Sequence, residues 1–315
     1  MEDNLLEVKN LKKYFKTKKG LLYAVDDLNF TIKKGETLGL VGESGCGKST
    51  TGRVILRLHE PTSGNVYYKK DDITKYNTSE LKKLRKKMQI VFQDPYSSLN
   101  PRLSVSEIIA EPLYINKIYN TKIDTENRIR EVMDIVGLEE RLINTYPHEL
   151  DGGRRQRIGI ARAISLQPEF IVMDEPVSAL DVCIQAQILN LMNELQEKFG
   201  LTYLFISHNL SVVKHVSDRI AVMYLGRIVE LAKSNAIFKN PLHPYTQALL
   251  SAIPIPKVDI KKEKIILEGD VPSPINPPPG CRFYGRCRFR QDECKKEIPE
   301  LREIDDNHYV ACRLL

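Results

Sequence analysis

Short apolar runs rich in β-branched residues alternate along this chain with segments of helical periodicity. Four runs predict buried strands, at residues 37–41, 88–92, 170–173 and 202–206. Between them, residues 127–136 place apolar side chains at helical spacing, and Gly137 follows as a typical helix stop. Strands separated by helices predict an α/β fold with a mostly parallel sheet that is covered on both faces.

Other parts of the chain follow different patterns. Residues 6–8, 23–25 and 28–32 predict a small antiparallel β subdomain beside the main sheet. Residues from about 96 to 155 are interpreted as a helical subdomain. Prolines accumulate late in the chain and end in the run 277–279, which is typical of a largely irregular tail. We therefore predict a main domain at 1–235 and a C-terminal extension at 236–315.

Composition and charge narrow the class of protein. The 315 residues are 42% hydrophobic and 28% charged, which is typical of a folded globular chain. The first residues, MEDNLLEVKN, are polar and acidic and do not have the pattern of a secretory signal. No apolar run approaches the ~18 residues that a membrane-spanning helix needs. The net charge is +6, but Lys and Arg alternate closely with Asp and Glu. This mixture indicates a solvated surface, and we expect a cytoplasmic protein without a nucleic-acid partner.

The nine residues after the first predicted strand, GESGCGKST, form the strongest motif. The first eight of them match the phosphate-binding pattern G-x-x-x-x-G-K-[ST], between a strand and a helix as that motif requires. Backbone N–H groups of such a loop surround phosphate oxygens; Lys48 should reach the β- and γ-phosphates, and Ser49 should ligate Mg²⁺. The candidate ATP-binding residues of the loop are Gly42, Glu43, Ser44, Gly45, Cys46, Gly47, Lys48, Ser49 and Thr50.

Two acidic residues follow the run at 170–173 and indicate hydrolysis. Asp174 is expected to bind Mg²⁺, and Glu175 to act as the general base on a water aimed at the γ-phosphate. Adjacent acids can instead cap a helix, but the phosphate-binding loop favours the catalytic interpretation. His208 follows the run at 202–206 and could hold the attacking water, although an isolated histidine is more often structural.

The segment LDGGRRQR, residues 150–157, opens a predicted helix and resembles the signature of ABC ATPases. In that family a Ser-Gly-Gly-Gln helix start caps the γ-phosphate that the opposing subunit binds. The resemblance implies this role for Asp151, Gly152, Gly153 and Arg154.

The same resemblance assigns further residues. Gln93 matches the Q-loop, which also reaches Mg²⁺, and Asp181 matches the D-loop. His208 matches the switch histidine. Phe15 occupies the position of the aromatic that stacks on adenine, with Tyr14 as a close alternative.

Two signature positions depart from the family pattern. Asp151 stands where serine is usual, and Arg154 where glutamine is usual. Aspartate is a good helix N-cap, but like charges ~4 Å apart repel by up to about 4 kcal/mol at an effective dielectric near 20. Arg154 would offset part of this repulsion. We expect the ATP site that this signature caps to be weak, and the site built on Lys48 to remain competent.

The tail narrows the resemblance to one subfamily. Residues 243–250 (HPYTQALL) and 272–278 (PSPINPP) are similar to the oligopeptide and dipeptide importer ATPases, and most similar to their F-type subunit. The resemblance implies a heterodimer with a D-type ATPase at the cytoplasmic face of the cell membrane. Two transmembrane permease subunits and an extracellular peptide-binding protein would complete the importer.

Four other functions share some of these sequence features. A nickel or other solute importer of the same subfamily remains open. A soluble non-transport ABC ATPase would need a second cassette or a long coiled-coil insertion. A small-molecule kinase would not explain residues 150–157, and a regulatory protein would have no use for Glu175 and His208.

Four cysteines, Cys281, Cys287, Cys294 and Cys312, crowd into the tail with the spacing C-x5-C-x6-C-x17-C. In a reducing compartment such a cluster more often binds metal than forms disulfides. The spacing fits neither a zinc ribbon nor a ferredoxin run, and it leaves the metal undecided. The subfamily resemblance implies a [4Fe-4S] cluster, with zinc or free thiols as alternatives.

Overall fold

A computed structural model describes residues 4–253 and 265–315 of the chain. Its strands are β1 (Asn4–Thr17), β2 (Gly20–Lys33), β3 (Thr37–Val41), β4 (Ser63–Tyr68), β5 (Asp71–Asp72), β6 (Met88–Val91), β7 (Phe170–Asp174), β8 (Thr202–Ser207), β9 (Arg219–Tyr224), β10 (Arg227–Lys233), β11 (Arg302–Asp305) and β12 (His308–Val310). Its α-helices are α1 (Lys48–Ile55), α2 (Thr78–Leu84), α3 (Pro95–Ser98), α4 (Val105–Ile115), α5 (Lys122–Ile135), α6 (Gly152–Ile164), α7 (Val182–Phe199), α8 (Leu210–Val216), α9 (Ser234–Lys239) and α10 (Pro244–Ser251).

Internal contacts divide the chain into two compact units. The first comprises the described residues within Met1–Lys33, Thr37–Lys75 and Ser207–Leu315. The second comprises Lys34–Glu36 and Tyr76–Ile206.

The first unit contains an antiparallel sheet and a mixed sheet. The antiparallel sheet has the order β2-β1-β4-β5, as the N-terminal alternation predicts. In the mixed sheet, β3 pairs parallel with β9, and β10, β12 and β11 continue antiparallel. All five residues of β3 are buried, which explains its continuous apolar run. Helix α8 packs on β3 at Gly39, where a Cβ would lie 2.4 Å from Val213.

The second unit contains parallel strands in the order β8-β7-β6 and the helices of residues 95–164. Every residue of β7 and β8 is buried. Helix α5 begins five residues before the predicted segment, because the Thr121 side chain caps it by accepting from the N–H of Asp124. The exact bounds of a helical subdomain at 96–155 stay a prediction.

The tail contains more regular structure than its proline content suggests. Helix α10 begins at Pro244, and β12 extends the mixed sheet by pairing Val310 with Glu230 of β10. Strand pairing over such a distance leaves no local sequence signal. The domain boundary near residue 235 stays a prediction. Among the helices of residues 4–253 and 265–315, none combines the length and apolar character that crossing a bilayer requires.

Candidate nucleotide-binding site

The phosphate-binding loop joins β3 to α1 through glycines that no other residue could replace without strain. Gly42 has φ +154° and Gly47 has φ +106°. A Cβ on Gly47 would lie 1.9 Å from the carbonyl oxygen of Ala24, and one on Gly42 would lie 2.1 Å from that of Met223. The neighbouring backbone therefore requires glycine at both positions.

Lys48 begins α1 and folds back over the loop. Its side chain is buried, and Nζ donates to the carbonyl oxygens of Gly42 at 2.9 Å and Glu43 at 3.1 Å. The N-terminus of α1 adds partial positive charge at the same place. Ser44 and Gly45 are exposed, Ser49 and Thr50 are half-buried, and burial raises the pKa of the Cys46 thiol. This arrangement of amides and one lysine is suited to a phosphate chain.

Phe15 and Tyr14 lie side by side on β1 but have different surroundings. The Tyr14 hydroxyl donates to Asp26, and burial raises the pKa of Tyr14. Phe15 is half-buried, meets the His59 ring edge-on at 5.8 Å, and has Lys13 Nζ 4.9 Å from its ring centre. Because Tyr14 is held by a carboxylate, Phe15 is the better candidate for an adenine contact.

In the second unit, Asp174 ends β7 and Glu175 follows the strand in a different environment. Asp174 is 1% exposed, whereas Glu175 is half-buried and has φ +50°. The Glu175 N–H donates to the carbonyl oxygen of Ile206 at 3.0 Å, and Gln93 Nε2 donates to Glu175 Oε2 at 3.1 Å. Left-handed backbone at a residue other than glycine is uncommon and is found often at functional sites. His208, in the first unit, is exposed directly after β8.

The signature residues form a capped helix start. Asp151 Oδ1 accepts from the N–H of Arg154 at 2.8 Å, so Asp151 acts as the N-cap of α6. The Arg154 guanidinium lies 3.4 Å from Asp151 Oδ2 and 3.5 Å from Glu139 Oε1. A Cβ on Gly153 would lie 2.7 Å from Ile184 of α7. The Arg154 guanidinium is therefore close enough to offset part of the negative charge of Asp151.

The predicted D-loop residue Asp181 caps α7 by accepting from the N–H of Ile184 at 3.0 Å. Gln185 Nε2 donates to the carbonyl oxygens of Val177 and Leu180, both at 2.9 Å. Neighbouring Val182 is 80% exposed. The Gln185 side chain thus holds the backbone of the D-loop, whereas the Val182 side chain that follows it faces solvent.

The four late cysteines line one small cavity of about 20 Å³, together with His243 and Phe283. Burial, with a smaller contribution from the neighbouring thiols, raises the pKa of Cys281 to about 11. Within residues 4–253 and 265–315, no three or more His, Cys, Asp or Glu side chains form a group that could hold a metal ion. The thiols share a cavity, but they are not closed around an ion.

Two parts of the chain match protein-family models. Residues 25–178 match the family described as ABC transporter, and residues 229–294 match the C-terminal region of oligopeptide/dipeptide transporters. The oligopeptide transport ATP-binding protein AppF of Bacillus subtilis is 51% identical over 99% of this chain and 98% of its own length. This chain belongs to the ABC transporter family. OppF of the same organism is also 51% identical, over 99% of this chain and 97% of its own length.

Solved structures of ABC cassettes share the fold. The dimer of MJ0796 bound to ADP and Pi is 33% identical, with a TM-score of 0.67 over 73% of this chain and 98% of that chain. CbiO1 from Clostridium perfringens is 28% identical, with a TM-score of 0.68 over 76% and 92%. The predicted α/β fold with a phosphate-binding loop after a buried strand, which is a P-loop ATPase fold, and the resemblance to ABC ATPases are confirmed.

One cluster in the first unit was not foreseen from the sequence. Asp26 accepts from Tyr14, from Arg227 Nε at 2.9 Å and from Arg282 Nη2 at 2.5 Å. Burial alone would raise the pKa of Asp26, but the Tyr14 hydrogen bond and the two arginine charges hold that pKa below its usual range. Arg282 belongs to the cysteine tail, and no local pattern announces a partner 256 residues away.

Proposed function

We propose that this chain is the ATP-hydrolysing subunit of an ABC importer that takes up oligopeptides or dipeptides. The observation that carries the proposal is the full-length similarity to AppF, whose name describes oligopeptide transport, together with the matched tail at 229–294. Membership of the ABC transporter family supports ATP hydrolysis. The tail supports the substrate class.

At the nucleotide, Lys48 and the loop amides would bind the β- and γ-phosphates, and Phe15 would stack on the adenine. Ser49, Gln93 and Asp174 carry the oxygen ligands that Mg²⁺ prefers. When bound, Mg²⁺ neutralises phosphate charge as the γ-phosphoryl group leaves. The buried position of Asp174 and the inward fold of Lys48 support these assignments.

Glu175 would polarise the attacking water and accept its proton. The hydrogen bond from Gln93 fixes the Glu175 carboxylate and supports this role, because a donated hydrogen bond limits its rotation. His208 would contact the γ-phosphate and hold the water in line. Catalysis then consists mainly of positioning and charge stabilisation.

The signature residues 151–154 and Asp181 would face the partner ATPase, which we propose is a D-type subunit. In such a heterodimer, Asp151 would lie against a γ-phosphate bound by the partner. Arg154 offsets its charge only partly, because the side chains are 58% and 41% exposed and water screens the pair. We propose that this capped site is the weaker of the two.

Exposed apolar side chains in the second unit support a membrane partner. They lie at the end of α4 and the start of α5, with Tyr114 57%, Ile115 60% and Ile123 69% exposed. Large apolar side chains grouped on a surface mark interaction sites. We propose that this face meets the two transmembrane permease subunits at the cytoplasmic face of the cell membrane. An extracellular peptide-binding protein would deliver the peptide.

A [4Fe-4S] cluster on Cys281, Cys287, Cys294 and Cys312 is the finer part of the proposal. Four thiols lining one cavity suit the cluster in chemistry, although their present arrangement is not closed. Anaerobic purification followed by iron and acid-labile sulfide analysis tests it. Four irons and four sulfides per chain are expected, and these should be lost in Cys294→Ser; zinc alone, or no metal, would contradict it.

Transport tests the substrate class. The complete importer, reconstituted in vesicles with ATP on the side of this chain, should accumulate labelled dipeptides or oligopeptides when the binding protein is present. Lys48→Ala should abolish this uptake. Accumulation of Ni²⁺ without peptide would contradict the substrate class, and ATP hydrolysis without uptake of either would contradict the importer role.

A further inference from the structure

A side chain of the C-terminal extension forms hydrogen bonds with the phosphate-binding loop. Arg286, which lies between Cys281 and Cys287, makes two hydrogen bonds to the Glu43 carboxylate. Nη1 lies 2.7 Å from Oε2, and Nη2 lies 3.2 Å from Oε1. Arg286 is 9% exposed and Glu43 is 26% exposed, so this bidentate pair is partly shielded from water. A residue 243 positions away therefore holds the second residue of the loop.

The backbone at the same residue has a second tether. The Glu43 N–H donates to the Tyr245 hydroxyl at 2.9 Å. Tyr245 is fully buried in α10, with its ring centre 4.7 Å from that of Tyr224 and 5.4 Å from that of Phe283. Because packing fixes this ring, its hydroxyl is a rigid anchor for the first turn of the loop.

Both tethers act on Lys48 through Glu43. The Glu43 carbonyl oxygen accepts from Lys48 Nζ at 3.1 Å, so the position of residue 43 helps to set that of the lysine. The Glu43 carboxylate would also repel a polyphosphate if it were unpaired. The Arg286 guanidinium cancels that charge at the place where the phosphates are expected to bind.

We propose that Arg286 and Tyr245 are positioning residues for ATP binding: Arg286 neutralises and orients Glu43, and Tyr245 fixes the backbone of the loop. Through them the tail sets the affinity of the loop for nucleotide phosphates. This inference rests on the proposed binding of ATP at Lys48.

A series of charge-neutralising substitutions in the purified chain tests the role of Arg286. Equilibrium dissociation constants for ATP and ADP are measured for wild type, Arg286→Gln, Glu43→Gln and the double variant. Arg286→Gln should weaken ATP binding about tenfold, or about 1.4 kcal/mol. It should weaken ADP binding by less, because ADP carries less charge. The double variant should return to within about threefold of wild type, because the repelling carboxylate has gone.

The matched control is Arg290→Gln, since Arg290 lies in the same segment and its exposed side chain donates to the Gly285 carbonyl oxygen at 3.3 Å. It should leave both affinities unchanged. Arg286→Lys keeps the positive charge but lacks the planar guanidinium that makes two parallel hydrogen bonds. Its affinity for ATP should fall between those of wild type and Arg286→Gln. If Arg286→Gln lowers the melting temperature, the double variant still separates a charge effect from loss of folding.

Tyr245→Phe removes one hydroxyl from a packed ring. This variant should weaken the binding of ATP and of ADP equally, about threefold, because it loosens the loop without changing its charge. Unchanged affinity in both Arg286→Gln and Tyr245→Phe would overturn the proposal. Equal weakening in Arg286→Gln and the double variant would overturn its electrostatic part. A wild-type chain that binds no ATP would instead contradict the proposed function.

Discussion

Replacing Asp26 with asparagine removes the charge at the centre of the buried cluster that joins β2, β10 and the tail. The Asp26 and Arg282 side chains are each 5% exposed. Loss of the carboxylate would leave the Arg282 guanidinium buried with its charge uncompensated. Breaking a buried ion pair by removing one partner typically costs about 3–5 kcal/mol. Arg227 is 21% exposed and can turn toward water, so we expect about 3 kcal/mol.

The assay is urea unfolding followed by far-UV circular dichroism, because the chain contains no tryptophan for fluorescence. Asp27→Asn is the matched control. Asp27 is 32% exposed and 3.9 Å from Arg227, and its left-handed backbone, φ +63°, suits asparagine. The control should change the free energy of unfolding by less than about 1 kcal/mol. An Asp26→Asn variant as stable as this control would show that the buried Asp26–Arg282 pair contributes no net stability.

Lowering the pH tests the same carboxylate. Because its pKa is depressed in the folded chain, its contribution is fully present above the ordinary value of 3.8 and is lost as pH falls through the folded pKa. The stability difference between wild type and Asp26→Asn should therefore shrink only below about pH 4.

Three further changes have defined outcomes. Gly47→Ala would press a Cβ against the Ala24 carbonyl oxygen at a strained φ of +106° and should weaken ATP binding at least about tenfold by calorimetry. Burial lowers the pKa of His243 from 6.5 to about 4, so the unfolded chain binds the proton more readily. The free energy of unfolding should fall by up to about 3 kcal/mol between about pH 6.5 and 4, and His243→Asn should lack this dependence in urea titrations. Asp151→Ser with Arg154→Gln should raise the ATPase turnover of the proposed heterodimer, measured by phosphate release; no gain would contradict a weak capped site.

Local patterns predicted the centre of the fold well. The run at 37–41 coincides with β3, and the loop that follows has the backbone its glycines predict. The runs at 170–173 and 202–206 each lack one residue of the observed strands β7 and β8. These elements were predictable because each depends on burial or backbone conformation within a few neighbouring residues.

The contacts of the tail were not predictable in this way. Arg282 with Asp26 and Arg286 with Glu43 are pairs of common charged residues, separated by 256 and 243 positions. Nor did the sequence foretell the left-handed backbone of Glu175, because no glycine marks it. Such features depend on tertiary packing, which a single sequence does not display.

Phosphate release by this chain combined with the proposed D-type partner, compared between wild type and Glu175→Gln, tests whether Glu175 is the catalytic base. We expect turnover that requires the partner and falls at least about a hundredfold in Glu175→Gln, while ATP binding is retained because Lys48 and the loop are unchanged. Full turnover by the isolated chain, unaffected by Glu175→Gln, would contradict the assignment of the catalytic site.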